Sequence, residues 1–187
     1  YINSGLPDLV TSVNLAPFTS RTYNAVQLGI VANQIVGLRY DANTAVTVLG
    51  ASAQGGDSDA TQGSTEAASS WFFGDGFMNR PLAGTLYFEN MFFYNPDTAS
   101  LPVTLNFRFN NGVTTSYNFV VGAKNFATVA LHTLPAILNH AGLSWYSIDA
   151  VALRPFAASM NHYDLVLGGG WGTKGAPLGL TNPLSTI

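Results

Sequence analysis

Three histidines, His132, His140 and His162, all fall in the second half of this 187-residue chain, and an imidazole is the side chain best suited to proton transfer near neutral pH. With Ser116, Ser144 or Asp149 they supply the residue types of a Ser-His-Asp relay, in which imidazole takes the proton of an attacking hydroxyl and a carboxylate orients the ring. No nucleophile-elbow sequence accompanies them. His132 adjoins a short stretch of helical spacing and His140 closes it, where the helix dipole favours a cation, so both read as structural. Glu66 and Glu89 are the chain's two glutamates, and a carboxylate pair across a cleft is what glycoside hydrolysis requires. Glu66 belongs to a polar stretch, however, and nothing in the pattern brings it to Glu89. The chain therefore reads as non-enzymatic, with no catalytic residue and no cofactor.

Two further sets of residues could bind something. Asp57-Ser58-Asp59 alternates oxygen donors as a hard cation such as calcium prefers, with glycines nearby to permit a tight loop. The twelve-residue calcium pattern with its terminal Glu is missing, so Asp57 and Asp59 read as part of a solvated loop and no metal is expected. Asp75, between Gly74 and Gly76, reads as a turn capped by a carboxylate. The aromatics make a stronger case. Trp71, Tyr94 and Trp171 are candidates for a platform on which sugar rings stack, while most of the other aromatics must fill a core. Phe92, Phe93 and Tyr94 are consecutive, so both faces of that segment are apolar: either it is covered on both sides or one side meets a partner.

The elements that position these residues are strands. Val103 to Phe109 alternates apolar and polar residues, Asn110-Asn111-Gly112 supplies a tight turn, and Thr114 to Val121 returns with Tyr117, Phe119 and Val121 on one face, which predicts a β-hairpin. Gly84 to Tyr94 reads as one long or two short strands ending at Asn95-Pro96-Asp97, a turn that cannot continue a ladder. Phe126 to Leu131 and Ser144 to Leu153 add strands, with counterparts expected near Thr22 to Leu28, Gln34 to Tyr40 and Ala45 to Ser52. Leu134 to Ala141 alone has helical spacing, and Pro135 suits a first helical turn. Residues 54–65 lack large apolar side chains and read as an exposed loop or linker. Gly168 to Gly175 opens a C-terminal arm.

Composition sets the class. Charged residues are 9% of the chain against about 25% in an ordinary soluble domain, so the surface is weakly charged and prone to association. The net charge of −3, with seven basic residues scattered singly, offers no footprint for phosphates, and nucleic acid is not expected as a partner. No apolar run reaches the length of a membrane span, so membrane insertion is not expected. The first residue is Tyr1 rather than Met, which suggests a removed leader and an extracellular or cell-surface setting. The absence of Cys is compatible with either redox compartment.

An internal echo organises the chain. Gly37-Leu38-Arg39-Tyr40 and Ala45-Val46-Thr47-Val48 recur as Gly142-Leu143-Ser144-Trp145 and Ala150-Val151-Ala152-Leu153, both at an offset of 105 residues, which reads as a repeated unit. The expectation is an all-β chain of two related Ig-like antiparallel β-sandwich modules. A first, strand-poor module covers residues 1–65, a second covers 66–165, and an extended C-terminal arm covers 166–187. Ser70-Trp71-Phe72-Phe73-Gly74-Asp75-Gly76, with Phe93-Tyr94-Asn95-Pro96 and Pro102-Val103-Thr104-Leu105, resembles tandem Ig-like β-sandwich repeats of large secreted or cell-surface bacterial proteins. In those repeats a Trp-Tyr-Phe-Ala-Glu-Gly segment precedes an Asn-Pro turn and a Val-Thr-Val strand. This chain carries Gly74-Asp75 where they have Ala-Glu. The resemblance implies a structural or adhesive extracellular module without catalytic residues.

A module short of strands leaves an open sheet edge that something must occupy. The occupant is the chain's own arm, a removed segment or a strand from an identical subunit, and head-to-tail donation that does not close makes filaments. The expectation is thus a non-enzymatic extracellular subunit that self-assembles into a surface fibre, sheath or layer through strand or tail exchange. Tyr1, Ile2, Leu178, Leu180 and Leu184 are its assembly residues. The alternative is a carbohydrate-binding or adhesive module of a larger surface protein, with a glycan as partner.

Overall fold

A computed structural model of the chain describes residues 9–30, 38–54, 57–140 and 143–183. The chain divides into two units, Tyr1–Tyr40 and Asp41–Ile187. In the first, the described residues form turns and no strand. The strand expected over Thr22 to Leu28 is instead a turn. The Asn24 N–H donates to Gln27 Oε1 and the Gln27 N–H to Asn24 Oδ1, each at 2.9 Å, a reciprocal lock of the kind that opens helical turns.

The second unit is built of antiparallel strands: β1 (Leu49–Gln54), β2 (Asp57–Gln62), β3 (Glu66–Asn79), β4 (Tyr87–Tyr94), β5 (Leu101–Phe109), β6 (Thr114–Val121), β7 (Phe126–Ala130), β8 (Leu143–Asp164), β9 (Gly169–Thr173) and β10 (Ala176–Pro183), with one helical turn, α1 (Pro135–Leu138). β8 is long enough to serve two layers. Its first half lies between β3 and β5, giving a sheet ordered β10-β3-β8-β5-β6. Its second half lies between β4 and β9, giving β7-β4-β8-β9. The passage from one sheet to the other falls at Pro155, between the last β5 pairing at Ala152 and the first β4 pairing at Ala157. Proline has no N–H to give a ladder, so the crossover costs no hydrogen bond there.

The two layers face each other over an apolar core. Leu101, Val103, Leu105, Phe107 and Phe109 of β5 are all buried, as the period of two predicts. Phe93 of β4 meets Phe119 of β6 at 4.8 Å between ring centroids and Phe156 of β8 at 6.1 Å, bridging the layers. The all-β sandwich is therefore present. So are the β5–β6 hairpin, turning at Gly112 with φ +84°, and the short helix starting at Pro135. Asn95 of the Asn-Pro turn is fully buried, and its amide donates to the carbonyls of Ala99 at 2.8 Å and Gly122 at 2.9 Å. Arg154, at the β8 crossover, ties the same loop through Asp97 and the Ser100 carbonyl.

Three expectations change. Residues 54–65 are not an exposed linker: Asp57–Gln62 is a strand paired with Leu49–Gln54, and the Asp57 side chain is buried. Gly74-Asp75 is not a capped turn but a β-bulge, since the register passes from Phe73↔Ile148 to Gly76↔Tyr146 with two residues on β3 facing one on β8. Gly76 is required beside it, because a Cβ there would lie 2.3 Å from the Tyr146 ring. Finally, the echo in sequence is not matched strand for strand among the described residues: Leu143–Leu153 lies within β8, residues 38–48 carry no strand, the strand expected over Ala45 to Ser52 begins only at Leu49 as β1, and residues 34–37 lie outside the described residues.

Candidate functional site

Strand β4 alternates inward Tyr87, Glu89, Met91 and Phe93 with outward Phe88, Asn90, Phe92 and Tyr94, so parity places a carboxylate inside the sandwich. Glu89 is fully buried. Its Oε1 accepts the Phe77 N–H at 2.9 Å and lies 3.0 Å from His162 Nδ1; its Oε2 accepts the Tyr146 hydroxyl. A carboxylate only accepts, so His162 Nδ1 carries the proton of that bond. One charge thus ties β3, β4 and both halves of β8. Trp171 of β9 lies flat over His162, with centroids 5.6 Å apart and planes 6° from parallel, and Tyr87 meets the imidazole edge at 5.8 Å. His132 sits over the Glu89 peptide, with Nδ1 3.0 Å from the carbonyl oxygen.

Two further carboxylates, Asp164 and Asp57, continue this seam. Asp164 Oδ1 accepts the N–H groups of Val166 at 2.9 Å and Leu167 at 3.1 Å. Burial pushes the Asp164 carboxyl up, but the Leu167 N–H, the Tyr87 hydroxyl, the Val166 N–H and His162 outweigh it and hold it below the usual range. Tyr87 is raised by burial and then by Asp164; Tyr146 is raised well above the ordinary phenol value by its complete burial and by Glu89. Asp57 pins the β1–β2 hairpin, with Oδ2 accepting the Asp164 N–H at 3.0 Å and Oδ1 the Ser58 N–H at 2.8 Å. Its carboxylate packs against Gly170, where any Cβ would come within 2.8 Å of Asp57 Oδ2.

This cluster has acid–base groups but no access. Glu89 is 0%, Tyr146 3% and His162 5% exposed, so a substrate atom cannot come within the ~3 Å that proton transfer needs. Among the described residues, His162 does not meet the other relay candidates, nor does Glu66 meet Glu89. Asp149 pairs with Arg108 at 3.0 Å on the outer face of the five-stranded sheet, and Ser116 lies on that face with Asn106 between them. His162 points into the interior of the other layer. Glu66 starts β3 opposite Pro183, while Glu89 meets β3 at Phe77, roughly 30 Å further along an extended strand. Among the described residues no group of three or more His, Asp or Glu side chains converges as metal ligands, and the Asp57 carboxylate is occupied by backbone N–H groups. The side chains of Asp59 and Ser144 lie outside the described set.

The predicted binding and assembly residues scatter. Trp71 is core: it is fully buried and its indole N–H donates to the Phe156 carbonyl at 2.7 Å. Trp171 is half-buried and committed to His162. Tyr94 is half-buried on the outer face of the four-stranded sheet, stacked on Phe126 at 4.8 Å and 30°, and the two line a hollow of about 140 Å³ with Phe92, Ser159, Ser64 and Lys174. Leu178 is exposed on β10 opposite Ser70. The backbone of Leu180 continues that strand, and Tyr1, Ile2 and Leu184 lie outside the described residues. The arm does not hang free: β9 pairs with β8 and β10 with β3 of the same chain.

The outer face of the five-stranded sheet carries exposed apolar residues, of which Leu178 alone was among the candidates. Val151 lies in register with Thr104 and Ser70, Ser70 with Leu178, and Val120 with Pro102. Leu153 at 95%, Val120 at 60%, Trp145 at 57% and Leu178 at 48% are exposed there. The signal was in the sequence, since Val151 and Leu153 are apolar on the parity opposite to Ile148 and Ala150.

No protein-family model matches the chain, and no curated protein matches it. Among solved structures it is similar to that of Thermotoga maritima 1070, with 19% identity and a TM-score of 0.51 over 60% of this chain and 96% of that one. A looser likeness, with a TM-score of 0.40 and 14% identity over 49% of this chain and 93% of the other, joins it to the Anabaena sensory rhodopsin transducer. At such identity the first likeness is one of fold alone. No helix among the described residues is long and apolar enough to cross a membrane.

Proposed function

We propose that the chain is a non-enzymatic structural module that associates with copies of itself through the outer face of the sheet β10-β3-β8-β5-β6. The observation that carries this is the exposed apolar set Val120, Trp145, Val151, Leu153 and Leu178 on one sheet face. Five strands at ~4.8 Å spacing and about eight residues at ~3.3 Å give a footprint of roughly 500–600 Å², near the lower limit of about 600 Å² per partner for a stable interface. A second copy is the occupant that fits the charge. Arg108 and Asp149 pair on that face, and only 9% of the chain is charged, so face-to-face contact of identical surfaces meets little like-charge repulsion. The buried state of Glu89, His162 and Tyr146 supports the non-enzymatic part of the reading. The extracellular or cell-surface setting, and assembly into a fibre, sheath or layer, rest on the resemblance to surface-protein repeats and on the low charge.

The edge of β10 is less suited to adding a strand than the face is to packing. Pro177 and Pro183 remove donors, and Gly179, with φ +73°, accompanies a register slip between Leu178 and Thr181, devices that blunt an exposed edge. Exchange of the whole arm between copies would keep the same pairings in trans and remains compatible with this face contact.

Light scattering across a concentration series tests the reading. The full chain is expected to form dimers or larger species, and Leu153→Lys with Val151→Lys to return it to a monomer with an unchanged unfolding temperature. A wild-type chain that stays monomeric at hundreds of micromolar, or a double variant that associates as well as wild type, would overturn it.

A further inference from the structure

The two end strands of the sheet β10-β3-β8-β5-β6 differ. β10 carries Pro177, Pro183 and a register slip between Leu178 and Thr181. β6 has no proline, glycine or charged residue, and its ladder with β5 runs without a bulge from Arg108↔Thr114 to Leu101↔Val121. An uninterrupted, uncharged end strand rich in β-branched and aromatic residues lacks the devices that keep other strands away.

The backbone phase of β6 follows from the turn before it. The Phe109 N–H donates to the Val113 carbonyl at 2.9 Å, and the Asn110 N–H points the other way, to the Trp145 carbonyl of β8 at 2.9 Å. Residues along an antiparallel ladder alternate between those that bond across it and those that face away. Thr115, Tyr117, Phe119 and Val121 therefore bond to β5, while Thr114, Ser116, Asn118 and Val120 turn their N–H and C=O groups outward. Those four residues are exposed, and among the described residues β6 pairs with β5 alone. Side chains hold the strand from behind: the Thr115 hydroxyl donates to the Ala136 carbonyl of α1 at 2.9 Å, and the Thr104 hydroxyl of β5 to Asn118 Oδ1 at 2.7 Å.

We propose that β6 pairs antiparallel with β6 of a second copy about a two-fold axis at Tyr117. Opposite residues of an antiparallel pair share a face, so an axis at a residue keeps the inner and outer faces of the two copies continuous. This axis sets Thr114 against Val120 and Ser116 against Asn118 of the second copy, in the pairs whose backbone groups point outward, and all four outward N–H groups find a carbonyl. On the inner face Thr115 meets Phe119, and Tyr117 meets its own copy, extending the Tyr117–Phe119 stack whose planes lie 18° apart at 6.0 Å. A second copy is the occupant that charge favours. The strand itself has no charge to set against its copy, and Arg108 of β5 is opposite Thr114. The two Arg108 side chains are then about 20 Å apart along the strand, well beyond the ~8 Å range of ionic repulsion at physiological salt.

Seven paired residues at ~3.3 Å, across a layer ~10 Å thick, cover about 230 Å² per copy. That is far below the ~600 Å² per partner of a stable interface, so edge pairing joins copies already held through the outer face, and in this it rests on the association proposed above. Two different two-fold contacts carry assembly past the dimer, closing at four copies where the axes intersect and continuing where they do not.

Light scattering of the full chain combined with amide hydrogen exchange tests this. At high concentration the wild type is expected to reach at least twice the dimer mass, with the amides of Thr114, Ser116, Asn118 and Val120 protected in the assembly and exchanging in the dilute monomer. Ser116→Pro removes one outward N–H and no bond to β5, and should stop assembly at the dimer with little change in unfolding temperature. Should that variant unfold, exchange of the wild-type amides decides alone. A wild-type dimer whose edge amides still exchange, larger species without their protection, or Ser116→Pro species as large as wild type would overturn edge pairing and leave the face contact standing. A dimer in which those amides are protected would support the edge and overturn the face, and a wild type that stays monomeric would overturn both.

Discussion

Replacing Glu89 tests whether the buried seam holds the sandwich together. In Glu89→Ala three donors lose their acceptor at once: the Phe77 N–H, the Tyr146 hydroxyl and the His162 Nδ1–H. Each unmet buried donor costs about 1–3 kcal/mol, and removing one partner of a buried ionic cluster costs about 3–5 kcal/mol in all. In Glu89→Gln the amide oxygen can still accept from Phe77 and His162, while the amide nitrogen donates to the Tyr146 oxygen. All three contacts survive without charge, and the loss is about 1 kcal/mol. With a urea dependence of about 2 kcal/mol/M, the alanine variant should lower the unfolding midpoint by roughly 2 M and the glutamine variant by about 0.5 M. Urea titration followed by tryptophan fluorescence reads both, since Trp71 is buried and Trp171 lies on His162. An alanine variant within 1 kcal/mol of wild type would refute the reasoning.

Other consequences follow from the same interior. Gly76→Ala should destabilise by about 3 kcal/mol, because its Cβ would sit 2.3 Å from the Tyr146 ring and 2.7 Å from the Tyr146 carbonyl oxygen; Gly74→Ala, whose nearest neighbour is a Phe72 ring atom at 3.5 Å, should be close to neutral in the same melt. The pH profile of stability should fall at both ends. Tyr146 is raised above the ordinary phenol value when folded, so its contribution is full below about pH 10 and is lost as pH rises beyond that. Asp164 is lowered when folded, so its contribution is present above about pH 4 and is lost as pH falls through its folded value. Tyr146→Phe should shallow the alkaline limb and leave the acid limb in place; chemical denaturation at a series of pH values reads both.

The elements that announced themselves in the sequence are those whose information is local. Val103 to Val121 carries strict alternation and an Asn-Gly turn, and it folds as that hairpin. Asn95-Pro96-Asp97 ends β4, and Pro135 starts α1. Where the sequence misled, the deciding partner was distant. Leu38–Val48 has the residue types of Leu143–Leu153, but the latter forms a strand because β3 and β5 flank it. Strand propensity expresses packing against neighbours more than a preference of the backbone. Asp57–Gln62 looks like a loop until Asp57 finds the Asp164 N–H, 107 residues away. The Glu89–His162 pair was legible in part. Glu89 has the parity of Tyr87, Met91 and Phe93, and His162 that of Ala158 and Met160, and a charge on the apolar phase of a strand marks a buried polar site. Which two such residues meet is a matter of topology, and the long β8 that serves both layers has no local signature beyond Pro155.

The placement of charge connects interior and surface. Asp57, Glu89 and Asp164 are all buried, and each is satisfied by backbone N–H groups, alone or with the polar ends of His and Tyr. These carboxylates act as internal pins between β3, β4, β8 and the β1–β2 hairpin, a use that requires specific geometry and makes one register more favourable than its neighbours. The same allocation leaves the outer faces with few charges to keep copies apart, and the visible surface pair Arg108–Asp149, on a half-exposed sheet, contributes at most about 1 kcal/mol. A chain so arranged gains its specificity inside and loses the usual electrostatic protection outside. The proposed association through the Val120–Leu153 face is consistent with that allocation, and a variant that restores charge to the face without touching the pins separates the two effects.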